Sequence, residues 1–349
     1  MDAFIHSLVH DAGWLTLLLV FALSIAVLGY SADKLVDLAV TLSVRTGMPR
    51  VIIGATIVSL GTTMPEAAVS VYAAIKGQPD LALGNAVGSI ICDTGLILGL
   101  ACILMPLPID RRIVNRQGWI QVGAGLLLVL CCIPASDPFG VFNAGGGGTM
   151  PQRIGWLFVA LLFAYLAWSM MMVRDAEKVV PGDQEEDDDA PSAQPVWLTI
   201  VLMFASCLFL VASAMVLIGA TKEGAERLDI PEGIIAATLV AFGTSLPELV
   251  TAMTAVRKKK GEIAIGNVIG ADILNVLFVA GASASVTQKG LEAGPYFFRL
   301  QFPVMLLVLF VFRFGIATAR KGKLARYIGF LLLTIYIGYL ILNVTVDKS

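Results

Sequence analysis

Long apolar runs separated by short polar stretches dominate the chain. A run of about 20 apolar residues is typical of a helix that crosses a lipid bilayer. The class of protein that this pattern predicts is an all-α integral membrane protein, in which a polar linker separates two groups of five helices. The ten predicted transmembrane helices lie near residues 13–44, 50–75, 80–105, 117–134, 153–173, 196–221, 232–256, 262–286, 295–312 and 326–344.

The two groups of helices carry the same motif. Residues 61–66 read Gly-Thr-Thr-Met-Pro-Glu, and residues 243–248 read Gly-Thr-Ser-Leu-Pro-Glu, at an offset of 182 positions. The same offset carries the Gly-Asn pair at 84–85 onto 266–267 without a gap, so the chain contains an internal repeat. We expect a first five-helix unit at 1–174 with its motif at 49–100, a linker at 175–195, and a second unit at 196–349 with its motif at 231–282.

Composition supports a membrane protein, and the distribution of charged residues predicts how its helices are oriented in the membrane. The chain is 57% hydrophobic and 14% charged, which excludes an ordinary soluble domain, and it has no basic face for nucleic acid. Most lysines and arginines of the short loops, including those at 111–116 and 257–260, fall on one predicted side, which should face the cytoplasm. Both termini are then expected outside and the acidic linker inside. Five spans per unit would invert the second unit relative to the first, as in secondary transporters.

Each motif places a carboxylate beside a proline inside a predicted membrane helix. An acid at that depth is costly, so it is a functional-site hypothesis by default. Pro65 removes a backbone donor and crowds the carbonyl of Gly61, which predicts a kink that frees carbonyl oxygens. Calcium takes about six to eight oxygen ligands, and sodium accepts neutral oxygens of the same kind. The candidate ligands are Thr62, Thr63, Glu66, Thr244, Ser245 and Glu248, with the backbone carbonyl of Ala241, and Ser59 unless its hydroxyl bonds its own preceding turn.

The helix that follows each motif begins with the Gly-Asn pair. Its glycines allow neighbouring helices to approach closely. Ser89 and Asp93 should lie one turn apart on one face, and their repeat counterparts are Ala271 and Asn275. If the repeats pack face to face, Asp93 converges with the two motif glutamates.

These paired motifs resemble the alpha repeats of the cation/calcium exchanger superfamily, and among its members the prokaryotic sodium/calcium exchangers. The resemblance implies ten helices with kinks at a midplane site, where Ca²⁺ and Na⁺ bind in alternation and are exchanged by alternating access. It implies a transporter in a prokaryotic cytoplasmic (inner) membrane rather than an enzyme. No resident cofactor and no obligatory oligomer are expected. The implied ligand positions are Thr62, Thr63, Glu66, Ser89, Asp93, Thr244, Ser245, Glu248 and Asn275.

Two features depart from the family pattern. Ala271 occupies a position at which the family's second repeat commonly has serine. The chain therefore lacks a hydroxyl that would be expected to coordinate sodium. Asp93 and Asn275 exchange the order of asparagine and aspartate found in the archaeal type. Asp272 either compensates or makes a structural contact, since on a helix it points about 100° away from Ala271.

Three other functions compete with sodium/calcium exchange. A proton-coupled antiporter of the same fold would place another glutamate in the Gly-Asn helix, where this chain has Val-Gly at 87–88 and Ile-Gly at 269–270, so sodium is favoured. A cation channel is compatible with inverted repeats. An intramembrane aspartyl protease is prompted by Asp-Thr-Gly at 93–95, but Asn275 leaves no second catalytic aspartate at the repeat position.

Overall fold

The computed structural model describes residues 13–134, 137–143, 146–176, 195–228, 243–319 and 322–345. Within these ranges the chain is mostly helical, which agrees with the predicted class. The acidic run of the linker at 185–189 lies outside the described residues, and so does Ala241.

Six helices of the first unit and five of the second are described. They are α1 (Trp14–Thr46), α2 (Arg50–Thr62), α3 (Met64–Ile75), α4 (Pro79–Leu104), α5 (Arg111–Cys132), α6 (Gln152–Ala176), α7 (Val196–Arg227), α8 (Leu246–Arg257), α9 (Gly261–Ser285), α10 (Phe297–Thr318) and α11 (Arg326–Thr345). Among the described residues, seven helices are long and apolar enough to cross a membrane, or eight if the bent pair α2–α3 forms one span. The count of ten stays a prediction, because α5 is not among these helices and the expected span at 232–256 is described only from residue 243 onward.

Two helices extend beyond the apolar runs that predicted them. α5 begins at Arg111 because the Asp110 carboxylate caps its start, accepting from the backbone N–H groups of Arg112 and Ile113 at 2.8 and 3.3 Å. α7 continues to Arg227, where Arg227 and Glu223 form an ion pair of 2.7 Å one turn apart. Hydropathy reports membrane burial, whereas caps and ion pairs decide where a helix ends.

The kink predicted from Pro65 is confirmed. The axes of α2 and α3 meet at 46°, and the break falls at Thr63, whose φ and ψ are −80° and 0°. At the equivalent position Ser245 has φ −83° and ψ 9° just before α8. Both residues occupy the sparsely populated region between helix and strand, in which many active-site residues sit. The prolines then fall in the first turn of α3 and α8, where a missing N–H costs little.

Wide helical turns interrupt the helices that bear the candidate ligands. Hydrogen bonds of the π type occur at Gly54–Val58 in α2, at Ile91–Leu98 in α4 and at Asn275–Ala280 in α9. Such bulges are frequent at functional sites. The last two contain Asp93 and Asn275 at equivalent positions of the repeat, so the same local distortion is built twice.

α9 is the central helix, and every residue from 263 to 274 is buried. It packs against α2, α4 and α5, while α1 runs along α7. Two backbone pairings also join loops of the two units. Strands β1 (Gly148–Met150) and β2 (Leu291–Ala293) pair antiparallel, and Leu324 N–H donates to the carbonyl of Leu107 at 2.8 Å. These strands of three residues were not predicted, since they are too short to show an alternating pattern.

α3 and α8 end in the same turn. Gly77 and Lys259, which are equivalent in the repeat, have positive φ values of 75° and 59°. In each copy the next residue donates its N–H to a carbonyl five positions back, Gln78 to Ala73 at 2.9 Å and Lys260 to Ala255 at 2.8 Å. This is the Schellman arrangement, in which glycine is usual and lysine is strained.

Replacing Lys259 by glycine is therefore expected to stabilise the protein. The substitution relieves a left-handed conformation that costs about 1 kcal/mol for a residue with a Cβ, partly offset by the greater freedom of glycine in the unfolded chain. Thermal unfolding in detergent should show a higher midpoint for Lys259→Gly. The control is Lys260→Gly, where φ is −103°, and it should show no gain. Equal stabilisation by both variants would contradict the assignment of strain to residue 259.

Candidate ion-binding site

The hydroxyl residue at each helix break contacts the motif glutamate of the other unit. Thr63 Oγ1 donates to Glu248 Oε1 at 3.2 Å, and Ser245 Oγ donates to Glu66 Oε1 at 3.5 Å. Thr63 corresponds to Ser245 in the repeat, and Glu66 to Glu248, so one contact is made twice with the partners exchanged. Reciprocal contacts of this kind are expected between two units related by a two-fold axis.

A second reciprocal pair involves the asparagines of the Gly-Asn motifs. Thr62 Oγ1 donates to Asn267 Oδ1 at 3.3 Å, and Thr244 Oγ1 donates to Asn85 Oδ1 at 3.4 Å. Asn85 Nδ2 also donates to the backbone carbonyl of Glu66 at 3.2 Å. No role was predicted for these asparagines from the sequence, although their recurrence at the offset of 182 was a usable signal. They orient the threonines that flank the carboxylates.

The third pairing lies between residues that are each other's counterparts. Asn275 Nδ2 donates to Asp93 Oδ2 at 3.3 Å, which joins α9 to α4. Asp93, Glu66 and Glu248 are each 1% exposed, and they lie close enough to interact electrostatically. None of the three forms an ion pair with a lysine, arginine or histidine among the described residues. We call the motif residues in these reciprocal contacts, together with Asp93 and Asn275, the reciprocal cage.

The reciprocal cage holds acceptor oxygens that lack donors. Four buried oxygen atoms of the reciprocal cage have no hydrogen-bond partner within the described part of the protein: Glu66 Oε2, Glu248 Oε2, Asp93 Oδ1 and Asn275 Oδ1. Buried oxygens without donors, three of them on carboxylates, are chemically suited to a hard cation. In the described ranges no three Asp, Glu, His or Cys side chains are gathered tightly enough to hold a metal alone. Hydroxyl, amide and carbonyl oxygens would therefore have to complete the ligand shell.

The remaining predicted ligands differ in their surroundings. Ser89 is buried on α4 one turn before Asp93. Ser59 is buried, and its hydroxyl donates to the carbonyl of Thr56 at 3.4 Å, the bond within the preceding turn that was the alternative to a ligand role. Thr244 is half-buried. The role of each as an ion ligand stays a prediction.

Asp272 lies next to the reciprocal cage and has hydrogen-bond partners that could not be predicted from the sequence. Asp272 Oδ2 accepts hydrogen bonds from Thr94 Oγ1 and from Gln121 Nε2, the latter at 2.5 Å. The structural contact considered for Asp272 is thus present. Gln121 and Gln117, both buried, lie one turn apart on α5, and that spacing within an apolar run was the only available signal for α5.

Removing either bridging hydroxyl of the reciprocal cage is expected to weaken ion binding by a similar amount. Thr63→Val and Ser245→Ala each delete one hydrogen bond to a carboxylate, so the calcium concentration that half-saturates the site should rise about fivefold to tenfold. Calcium binding to the detergent-purified protein measures this value. Thr334→Val is the matched control, because that exposed hydroxyl bonds only its own helix at Phe330. A large effect in one bridging variant and none in the other would contradict the reciprocal arrangement.

Comparison with known proteins places this geometry in context. The family model described as sodium/calcium exchanger protein matches residues 16–171 and 198–345. The chain is similar to the inner membrane protein YrbG of Escherichia coli, with 34% identity over 91% of this chain and 93% of that protein. It is also similar to the sodium/calcium exchanger MaX1 of Methanosarcina acetivorans, with 28% identity over 93% and 97%. A solved structure of the sodium-calcium exchanger NCX_Mj, soaked with 10 mM Na⁺ and zero Ca²⁺, superposes with a TM-score of 0.75 and 25% identity over 95% of this chain and 99% of that one.

Proposed function

Since the chain belongs to the sodium/calcium exchanger family and is an integral membrane protein, we propose that it is a secondary antiporter that exchanges Ca²⁺ for Na⁺ by alternating access. The observation that carries the proposal is the reciprocal cage. Its three buried carboxylates come from both units and lack a protein counter-charge among the described residues. Such a site needs a cation, and a site shared between two units can be opened by moving one unit against the other.

Sodium is proposed as the driving ion over the proton. The Gly-Asn helices have no additional glutamate at 87–88 or 269–270, where proton-coupled relatives typically carry one. Thr63 and Ser245 instead add neutral hydroxyl oxygens beside the glutamates. The relative MaX1 bears the name of a sodium/calcium exchanger, which favours the same ion.

We extend the proposal to topology: ten spans in two inverted units, both termini outside, and the acidic linker in the cytoplasm of a prokaryotic cell. The loop pairings support this arrangement. Leu107 and Leu324, which are hydrogen-bonded through their backbones, both belong to loops predicted to be cytoplasmic. The paired strands β1 and β2 both belong to loops predicted to be external.

A flux assay with purified protein in liposomes tests the proposal. Vesicles loaded with sodium and diluted into sodium-free medium should take up calcium, while vesicles loaded with potassium should not. A pH gradient imposed without sodium is the competing condition. Uptake that follows the pH gradient and ignores sodium would replace this proposal with the proton-coupled alternative.

A further inference from the structure

Asp272 has an unusual environment for a membrane carboxylate. It lies on α9, is 2% exposed, and receives hydrogen bonds only on Oδ2, from Thr94 and Gln121. Its second oxygen, Oδ1, has no hydrogen-bond partner among the described residues. The same holds for Oε1 of Gln121, which is itself 2% exposed. We call Asp272, Thr94 and Gln121 the asymmetric cluster.

The asymmetric cluster has no counterpart in the other half of the chain. At the offset of 182, Asp272 corresponds to Ile90 and Thr94 to Val276, and neither can bind an ion through its side chain. The cluster nevertheless adjoins the reciprocal cage, because Thr94 follows Asp93 directly. Asp272 and Asp93 are also close enough to interact electrostatically. The asymmetric cluster is therefore a group of polar residues beside the reciprocal cage that the repeat does not duplicate.

A structural role alone does not account for a carboxylate at this position. Asparagine has nearly the same shape and could accept from Thr94 without bringing a charge into the membrane. Asp272 forms no ion pair with any lysine, arginine or histidine in the described ranges. A buried carboxylate with one bare oxygen and no counter-charge is strongly destabilising unless a cation or a proton joins it.

We propose that the asymmetric cluster binds a sodium ion that is transported in addition to the ions of the reciprocal cage. Asp272 Oδ1, Gln121 Oε1 and the free lone pair of Thr94 Oγ1 are the side-chain oxygens that it offers. One carboxylate among neutral oxygens balances a single positive charge, whereas a divalent ion would leave an uncompensated charge at membrane depth. The inference rests on the proposed function, and it assigns this chain a higher sodium-to-calcium ratio than the reciprocal cage alone would give.

The main test is the sodium-to-calcium flux ratio of Asp272→Asn in proteoliposomes, measured with labelled sodium and calcium. The variant keeps the shape and the contact with Thr94 but removes the charge. We expect a lower sodium-to-calcium ratio and a sodium concentration for half-maximal exchange that rises about tenfold. Calcium binding in sodium-free medium should weaken by about threefold at most, because the residues of the reciprocal cage are kept and only the electrostatic influence of Asp272 on Asp93 is lost. Glu226→Gln on α7 removes a carboxylate outside the site and should leave all three values unchanged.

Thr94→Val is a second, independent variant that tests the inference even if Asp272→Asn fails to fold. It keeps the charge and introduces the residue type that the other repeat has at Val276. We expect a rise of about threefold to fivefold in the half-maximal sodium concentration from the loss of one hydroxyl ligand. A normal flux ratio in Asp272→Asn together with unchanged sodium dependence in Thr94→Val would overturn the inference and leave Asp272 with a structural role.

Equilibrium binding of labelled sodium to the detergent-purified full chain separates this inference from the proposed function. Less bound sodium in Asp272→Asn than in the wild type supports the asymmetric cluster, and equal binding overturns it. If the wild type binds sodium but drives no calcium uptake, the proposed function fails while the cation site stands. A flux that responds to a pH gradient in the wild type but not in Asp272→Asn would assign a proton to the cluster and overturn the sodium inference.

Discussion

Glu66→Gln and Glu248→Gln are each expected to abolish calcium exchange. Each variant removes one of three buried charges that face an ion and leaves its hydroxyl partner on the opposite unit, Ser245 or Thr63, bonded to a neutral amide. Loss of one member of a buried charge interaction costs about 3–5 kcal/mol, which corresponds to a decrease in calcium affinity of about two to four orders of magnitude. Calcium uptake into sodium-loaded proteoliposomes, with binding measured separately, gives both quantities.

Glu292→Gln provides the matched control for these two variants. Glu292 is an exposed carboxylate in β2, outside the reciprocal cage, so uptake should stay at the wild-type level. Both site variants must also elute from size exclusion as the wild type does, so that lost transport is not lost folding. Undiminished exchange in both glutamine variants would refute the reciprocal cage as the transport site.

Gly266→Ala and Gly270→Ala are expected to disrupt the molecule itself. At the crossing of α9 with α2, a Cβ on Gly266 would lie 2.2 Å from the carbonyl oxygen of Val51, and one on Gly270 would lie 2.5 Å from that of Ala55. These neighbours are backbone atoms, so no side-chain rotation can relieve the clash and the helices must separate. Overpacking typically costs about 1–3 kcal/mol, and a backbone clash lies at or above the upper end.

The loss should appear as a lower thermal midpoint in detergent and as reduced sodium-driven uptake. Gly123→Ala on α5 is the control, because Gly123 is exposed and an added Cβ there meets no described atom within 4 Å. It should be neutral or slightly stabilising, since alanine is the better helix former. If Gly270→Ala had the thermal midpoint of Gly123→Ala, the close crossing of α2 and α9 would be wrong.

The sequence predicted the helices well because apolar runs and proline act locally. The break in the first motif was foreseen from Pro65 and lies at Thr63, and the apolar runs fall on helices throughout the described ranges. The recurrence of the motif at one offset identified the carboxylates as a pair before any contact was known. Whether the second unit is inverted in a membrane stays a prediction.

The rest of the site depends on which helices become neighbours, and periodicity does not report that. Gln121 is a polar residue in an apolar run, and only the packing of α5 on α9 brings it to Asp272. The recurrence of the asparagines at 85 and 267 is visible in the sequence, but their hydrogen-bond partners are not, since each asparagine bonds a threonine of the other unit. A repeat shows that two segments share a role, but it does not show which segment of one copy contacts the other.

The exchanged partners in the reciprocal cage bear on how such a chain could arise. A single unit with these residues would hold half of every contact, so it could complete the reciprocal cage only against a second copy of itself. In a homodimer of that kind, any substitution appears in both halves at once. Asp272 opposite Ile90, and Thr94 opposite Val276, are differences that a homodimer cannot carry but a fused chain can. Gene fusion would thus have allowed the two halves to diverge in ion chemistry while keeping one fold.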